Sequence, residues 1–333
     1  MNATLRIGLT ALVVMLACSG CESIGIALGL RTRLDKLPVT SLSAALSVNP
    51  AVVPGKKGQL ILVATTADGK TLTTVGAGKG KVLFDSFTFD ASIVQVKNGA
   101  VLMPADPRLS DGKTPHVRIG VIGHPDISAD LDVPVRYDAA FKAHFSGASG
   151  ANGIDGMNGL DGSNGMSGSI DLTNPSPGGN GTDGSRGGDG GNGGDGQPGP
   201  VVYVWMTARA GTPLLLQLRL VSGLHDQFFL IDPNGGTLAI DANGGAGGRG
   251  GSGGRGGRGG SGGSGSPSGM SGSDGLSGSD GSSGRGGAAG TFVVSVDPSA
   301  QQFTDRLHLS NRSGDGALGP APQIHVEAVP ALW

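Results

Sequence analysis

The sequence predicts a mostly β protein: an N-terminal antiparallel β-sandwich, then a second antiparallel β-sandwich carrying two glycine-rich hairpins that pack as a four-helix polyglycine II bundle. Three observations lead there. Short apolar runs recur between turn residues with no helical period. Glycine supplies 65 of 333 residues and is concentrated in four stretches with a period of three. Cysteine is absent after Cys21, so the chain beyond it must fold by apolar burial and backbone hydrogen bonding, without a disulfide. The length suits two or three domains.

At the start, Arg6 precedes the apolar run Ile7 to Ala17, which has the length of a signal h-region and is too short to span a bilayer. Then comes Ala17-Cys18-Ser19-Gly20-Cys21. This resembles the bacterial lipobox, in which small residues precede a cysteine that is lipidated and becomes the mature N-terminus. Cys21 fits best, after Ser19 and Gly20; Cys18 is the alternative, with bulky Leu16 two places before it. Neither box has the usual leucine at its first position. The resemblance implies a signal peptide over 1–20, a lipid-anchored tether over 21–37, and a membrane as partner. Glu22 is not the aspartate that directs retention at the inner membrane, which by the same resemblance implies the outer membrane. The formal charge of −2 gives no reason to expect nucleic-acid binding.

Residues 38–145 alternate short strands with turns. Gln59 to Ala64 is followed by the turn Ala67-Asp68-Gly69-Lys70; Val82 to Phe84, Ile93 to Val96, Val101 to Met103, Val117 to Val121 and Leu131 to Val135 come later. With Pro50 to Gly55, the Asp68-Gly69 turn and Gly99 between two strands, this order resembles bacterial immunoglobulin-like domains at the level of fold.

Glycine then takes every third position from 147 to 168 (run 1), 178 to 199 (run 2), 244 to 265 (run 3) and 269 to 290 (run 4). Each run holds eight glycines in register. Short connectors containing proline and serine join run 1 to run 2 and run 3 to run 4, so 146–200 and 244–290 read as two hairpins. Between and after them, Val201 to Trp205, Leu214 to Leu220, Gln227 to Ile231, Thr237 to Ile240 and Thr291 to Val296 read as strands. These assign 201–243 and 291–333 to the second sandwich.

Three arrangements explain a glycine period of three. Collagen needs a proline-rich composition, and the runs are poor in proline, with Pro198 inside run 2 and Pro200 just after it. A flexible linker accounts for composition but not for four equal counts in register. It also does not sort run 1 into one mostly apolar edge (Ala148, Ala151, Ile154, Met157, Leu160, Ser163, Met166) and one polar edge (Asn152, Asp155, Asn158, Asp161, Asn164). A polyglycine II bundle accounts for both, because the missing side chain lets neighbouring backbones bond directly. Run 3 reads Gly-Gly-X almost throughout, which predicts a central position with two bare edges. Gly250, Gly253, Gly256 and Gly259 are then the structural glycines, and run 1 lies outside. The pattern resembles the polyglycine II bundle of snow-flea antifreeze protein, and the whole arrangement resembles glycine-rich, collagen-like bacterial surface lipoproteins.

The third edge of run 3 carries Arg249, Arg255 and Arg258, candidates for contact with an anionic ligand such as an envelope glycan. Asp183, Asp189 and Asp195 fall in an incomplete Gly-Gly-X-Gly-X-Asp pattern. They read, like Asp155, Asp161, Asp274 and Asp280, as a solvated carboxylate edge, so no metal and no cofactor is expected. Six dispersed histidines make no metal spacing, and no nucleophile elbow or phosphate loop is present. The expected function is a non-enzymatic, structural envelope protein. An adhesin recognising glycan or protein is the alternative; collagen-like trimer and ice binding are minor ones. The sequence leaves the oligomeric state open.

Overall fold

The computed structural model describes residues 32–47, 51–75 and 81–333. Strand accounts for 35% of the structure and helix for 4%, so the fold is mostly β. The chain divides into two compact units: one formed by residues up to Ala139 with Phe228–Asn234 and Trp333, the other by Ala140–Gln227 and Gly235–Leu332.

The first unit contains β1 (Val39–Leu46), β2 (Lys57–Thr66), β3 (Thr71–Thr73), β4 (Phe87–Ser92), β5 (Gln95–Lys97), β6 (Ala100–Leu102), β7 (His116–Val121) and β8 (His124–Asp132). They form two antiparallel sheets, β1-β2-β6-β5 with β3 beside β2, and β4-β7-β8. Alternate residues of both sheets meet in one core: Leu60, Leu62 and Ala64 from β2, Val101 from β6, Val117, Ile119 and Val121 from β7. The period of two is what points them to one side. Asn98 (φ 50°) and Gly99 (φ 73°) turn β5 into β6. A side chain at Gly99 would run into the Phe84 ring.

The tether expected over 21–37 ends earlier than the sequence reading placed it. Thr32 bridges to Val82, and Leu34 is fully buried in the core with Leu37 packed against it. Apolar burial has captured these residues for the fold. The signal segment lies outside the described residues.

The second unit contains β9 (Ala140–His144), β10 (Val201–Arg209), β11 (Leu215–Ser222), the first residues of β12 (His225–Ile231, of which Phe228 onward counts with the first unit), β13 (Thr237–Asp241), β14 (Thr291–Val296), β15 (Leu307–Ser310) and β16 (Gln323–Val326). The strand order is β12-β11-β10-β14-β16 in one sheet and β15-β13-β9 in the other. Their buried residues include Val202, Val204 and Met206; Leu216, Leu218 and Leu220; Leu238 and Ile240; Phe292, Val294 and Val296.

Two expectations need correction here. The strands are not uniformly antiparallel, since β10 pairs β14 in parallel, β14 pairs β16 in parallel, and β13 pairs both β9 and β15 in parallel. Ala140–His144, assigned from sequence to the first domain, is paired with β13. The path of the glycine runs accounts for the parallel β9–β13 and β10–β14 pairs. β9 leads out into run 1 and β13 into run 3, so these two strands point the same way; run 2 returns into β10 and run 4 into β14, so those two do as well.

Candidate functional site: the glycine-rich array

The four runs belong to neither helix nor strand, yet their backbones are bonded to one another at every triplet. Run 1 donates to run 3 in parallel, from Gly147 N–H to Asn243 O (2.8 Å) through Gly156 N–H to Ser252 O (2.8 Å) and on to Gly168 N–H to Ser264 O (2.6 Å). Run 2 donates to run 1 in the antiparallel sense (Gly191 to Ile154, 2.8 Å) and to run 4 in parallel (Gly190 to Ser279, 2.9 Å). Run 3 donates back to run 2 (Gly254 to Gly188, 2.8 Å), and run 4 to run 3 (Gly278 to Gly254, 2.8 Å). Runs 2 and 3 therefore each touch three neighbours and runs 1 and 4 touch two. Among the described residues no backbone hydrogen bond joins run 1 to run 4.

Glycine is required by distance. A Cβ placed at Gly250, Gly253, Gly256 or Gly259 would stand less than 3.0 Å from the backbone of run 4, and one at Gly251, Gly254 or Gly257 less than 3.0 Å from that of run 1. In each case the nearest atom is a carbonyl oxygen. The glycine hydrogen that occupies the Cβ direction therefore points at that oxygen, the geometry of a Cα–H···O contact. The second glycines of run 2 are less confined. A Cβ at Gly188 or Gly191 would lie 3.2 Å from the backbone nitrogen of Met157 or Ile154. On that same edge the sequence places Thr182 and Ser185, whose hydroxyl oxygens accept from the N–H of Ser163 and Leu160 at 2.7 Å.

The carboxylate edge does more than face water. Asn152, Asp155, Asn158, Asp161 and Asn164 of run 1 each accept, through Oδ1, the backbone N–H of Arg249, Ser252, Arg255, Arg258 and Ser261 of run 3, at 2.7–3.0 Å. Asn180, Asp183, Asp189, Asn192 and Asp195 of run 2 do the same for Met270, Ser273, Ser279, Ser282 and Arg285 of run 4. Asp280 and Asp274 of run 4 accept from Gly253 and Gly259 of run 3 at 2.8 Å. Arg186 interrupts the row in run 2 and instead pairs with Asp189 (3.0 Å). Reading these acids as a solvated edge missed their role: each satisfies an N–H that the backbone ladder leaves over.

No protein-family model, curated protein or solved structure matches this chain.

Arg249, Arg255 and Arg258 stand on the exposed third edge of run 3, flanked by the rows of run 1 and run 4 that contain Asp155, Asp161, Asp274 and Asp280. Ile154, Met157, Leu160 and Met166 of run 1 and Met270 and Leu276 of run 4 are also exposed. Cys18 and Cys21 lie outside the described residues. Among the described residues no group of three His, Cys, Asp or Glu side chains is placed to hold a metal ion, and no helix is long and apolar enough to cross a membrane. Away from the array, His116 lies between Asp132 (Nδ1 to Oδ1, 2.9 Å) and Asp130 (Nε2 to Oδ1, 3.0 Å), on adjacent strands. Hydrogen bonds to Asp132 first, and then to Asp130, raise its pKa above the ordinary histidine value. His144 meets Asp241 (2.9 Å) on the last rung of the β9–β13 ladder, where strand gives way to run.

Proposed function

We propose that this chain is a lipid-anchored cell-envelope protein with a structural, non-enzymatic role. In it the four glycine runs form a polyglycine II bundle that acts as a rigid spacer or contact surface. The observation that carries the reading is the hydrogen bonding repeated at every triplet across all four runs, with glycine wherever two backbones approach most closely. A linker needs no such register, and a collagen trimer needs two further chains where this one pairs with itself. At about 3.1 Å per residue a run of this kind extends about 70 Å. The first unit, two antiparallel sheets around one core, suits an immunoglobulin-like sandwich.

The anchor rests on Ala17-Cys18-Ser19-Gly20-Cys21 and the apolar run before it. Cys21 carries the lipid, and Glu22 after it favours the outer membrane. The arginine edge of run 3 is the surface for an anionic glycan or protein of the envelope; nucleic acid is not a partner. Labelling cells with a radioactive fatty acid tests the anchor. The parent takes up label and Cys21→Ala does not. Undiminished label in Cys21→Ala, or label lost only in Cys18→Ala, rejects the assignment. Binding of the full chain to glycans or cells, lost on replacing Arg249, Arg255 and Arg258, would favour an adhesin over a spacer.

A further inference from the structure

Eight asparagines in the sequence are followed by glycine: six in or beside the runs, and two elsewhere, Asn98 and Asn234. Asn–Gly is the dipeptide most open to self-modification, because glycine has no side chain to shield its own nitrogen. That nitrogen, once its proton has gone to hydroxide, attacks Cγ of the asparagine. The N–Cγ bond forms, the Cγ–Nδ2 bond breaks, and the amide nitrogen leaves as ammonia with a proton from water. Water then opens the resulting succinimide at either ring carbonyl. Opening at Cγ leaves aspartate. Opening at the main-chain carbonyl leaves isoaspartate, whose backbone passes through Cβ and Cγ and is one atom longer.

At the array both reacting groups are held, and by a single residue of the neighbouring run. Arg249 donates its N–H to Asn152 Oδ1 (3.0 Å), and its C=O accepts the N–H of Gly153 (2.7 Å). The same clasp joins Asn158–Gly159 to Arg255, Asn164–Gly165 to Ser261, Asn180–Gly181 to Met270 and Asn192–Gly193 to Ser282. At the foot of run 3, Arg312 clasps Asn243–Gly244 in the same way. All twelve hydrogen bonds measure 2.7–3.0 Å. The glycine nitrogen gives up its proton, and Cγ swings onto it, only after both bonds of a clasp have opened.

The other two pairs differ from these and from each other. Asn98 has φ 50°. In that left-handed conformation Cβ lies beside the residue's own carbonyl oxygen, and the next nitrogen is on the far side. Asn234 has neither protection. It is exposed, lies outside the left-handed region, and its side chain makes no hydrogen bond among the described residues.

We propose that Asn234 is a self-modification site, converted to aspartate and isoaspartate with water as the only co-reactant, and that the clasp spares the asparagines of the array. An isoaspartate inside a run would add a backbone atom and put every later triplet out of step with its neighbour. The clasp is therefore what lets a ladder rich in Asn–Gly persist. The proposal rests on the runs being ordered, and the test separates the two.

The full chain is held for weeks at mildly alkaline pH, in buffer and in guanidinium chloride, using water enriched in heavy oxygen. Digestion and mass spectrometry then read the conversion of amide to acid at each asparagine. In guanidinium chloride all eight are expected to convert at similar rates. In buffer Asn234 is expected to convert, Asn98 more slowly, and the six clasped residues about tenfold or more behind Asn234, since two hydrogen bonds must open first. Arg249→Pro removes the N–H that holds Asn152 and suits an extended threefold backbone. It is expected to speed Asn152 about threefold or more, with Asn158 and Asn164 unchanged. If those two speed up as well, the run has come apart as a whole and the comparison within the parent decides. Three results overturn the proposal. One is a clasped asparagine that keeps pace with Asn234 in buffer. Another is an Asn234 that stays intact in buffer yet converts in guanidinium chloride. The third is an unchanged Asn152 in Arg249→Pro. Circular dichroism of the parent reports separately on the bundle: a chain whose runs are disordered fails both ideas, whereas an ordered chain with unprotected array asparagines fails only this one.

Discussion

Replacing Gly253 by valine tests the array at its most confined edge. A Cβ there would lie 2.5 Å from the carbonyl carbon of Gly278 and 2.9 Å from that of Ser279, both backbone atoms that no rotamer change can move. Runs 3 and 4 must separate, and forcing extra methyl groups into a close-packed site costs about 1–3 kcal/mol. Separation also strains Gly278 N–H to Gly254 O (2.8 Å) and Gly253 N–H to Asp280 Oδ1 (2.8 Å), each worth about 0.5–1.5 kcal/mol net. The sum is about 2–6 kcal/mol, which for a unit of this size lowers the melting temperature by about 4–24 °C. Ser252→Val, one residue earlier on the exposed edge, should cost about 0.5 kcal/mol or less, a shift of about 2 °C at most. The assay is thermal unfolding of the full chain, followed by circular dichroism, at two protein concentrations. Gly253→Val is expected to melt well below both the parent and Ser252→Val, with midpoints independent of concentration. Equal midpoints for all three proteins would return the runs to disorder. A midpoint rising with concentration would indicate a multi-chain helix instead.

Asp161→Asn should melt within about 1 °C of the parent, because an amide oxygen accepts the Arg258 N–H as Asn158 already does for Arg255. Asp161→Ala should lose about 0.5–1 kcal/mol, the lower end of the range because water can reach the orphaned N–H. For His116, a proton NMR titration should give a midpoint above that of the unfolded chain, with Asp132→Asn lowering it more than Asp130→Asn. Since folding raises this pKa, the stabilisation is fully present below the unfolded value and disappears as pH rises through the folded one. A midpoint at or below the unfolded value would remove the clip between β7 and β8.

The sequence carried some of this architecture and concealed the rest for identifiable reasons. The alternation in β2, β7 and β10 is local, so the strands are legible without partners. The doubled glycines of run 3 point to a run with two bare edges, and the close approaches at Gly253 and Gly254 fall on those two edges. In run 2, Thr182 and Ser185 interrupt the second glycine edge, and only their contacts with Ser163 and Leu160 explain why hydroxyl residues are suited there. The role of the Asn and Asp rows was not legible. Nothing local to Asn152 indicates that it stands opposite Arg249, because that pairing depends on the register between segments 97 residues apart. Parallel pairing was hidden for the same reason: a short apolar run specifies a strand but not its neighbour or its direction. Burial of Leu34 depends on a core assembled from residues far along the chain.

The register itself has a physical source in the sheets. Ala140 pairs with Thr237 and His144 with Asp241 on the β9–β13 ladder, a separation of 97 residues. The same separation recurs between Asn152 and Arg249 and again between Asn164 and Ser261. Val201 pairs with Thr291 on the β10–β14 ladder, a separation of 90, and that value recurs from Asp195–Arg285 down to Asn180–Met270. The strands thus hand their alignment to the runs without a slip, although side chains alternate with period two in one and hydrogen bonds recur with period three in the other. This matters because glycine loses more conformational freedom on ordering than any other residue, and a triplet ladder gives little energetic preference for one register over another displaced by three residues. A β-ladder with one buried face does discriminate, since a one-residue slip would turn Leu238, Ile240, Phe292 and Val294 out of the core. The sheets of the second unit act as the clamp that selects a single alignment for glycine runs that could not select it themselves.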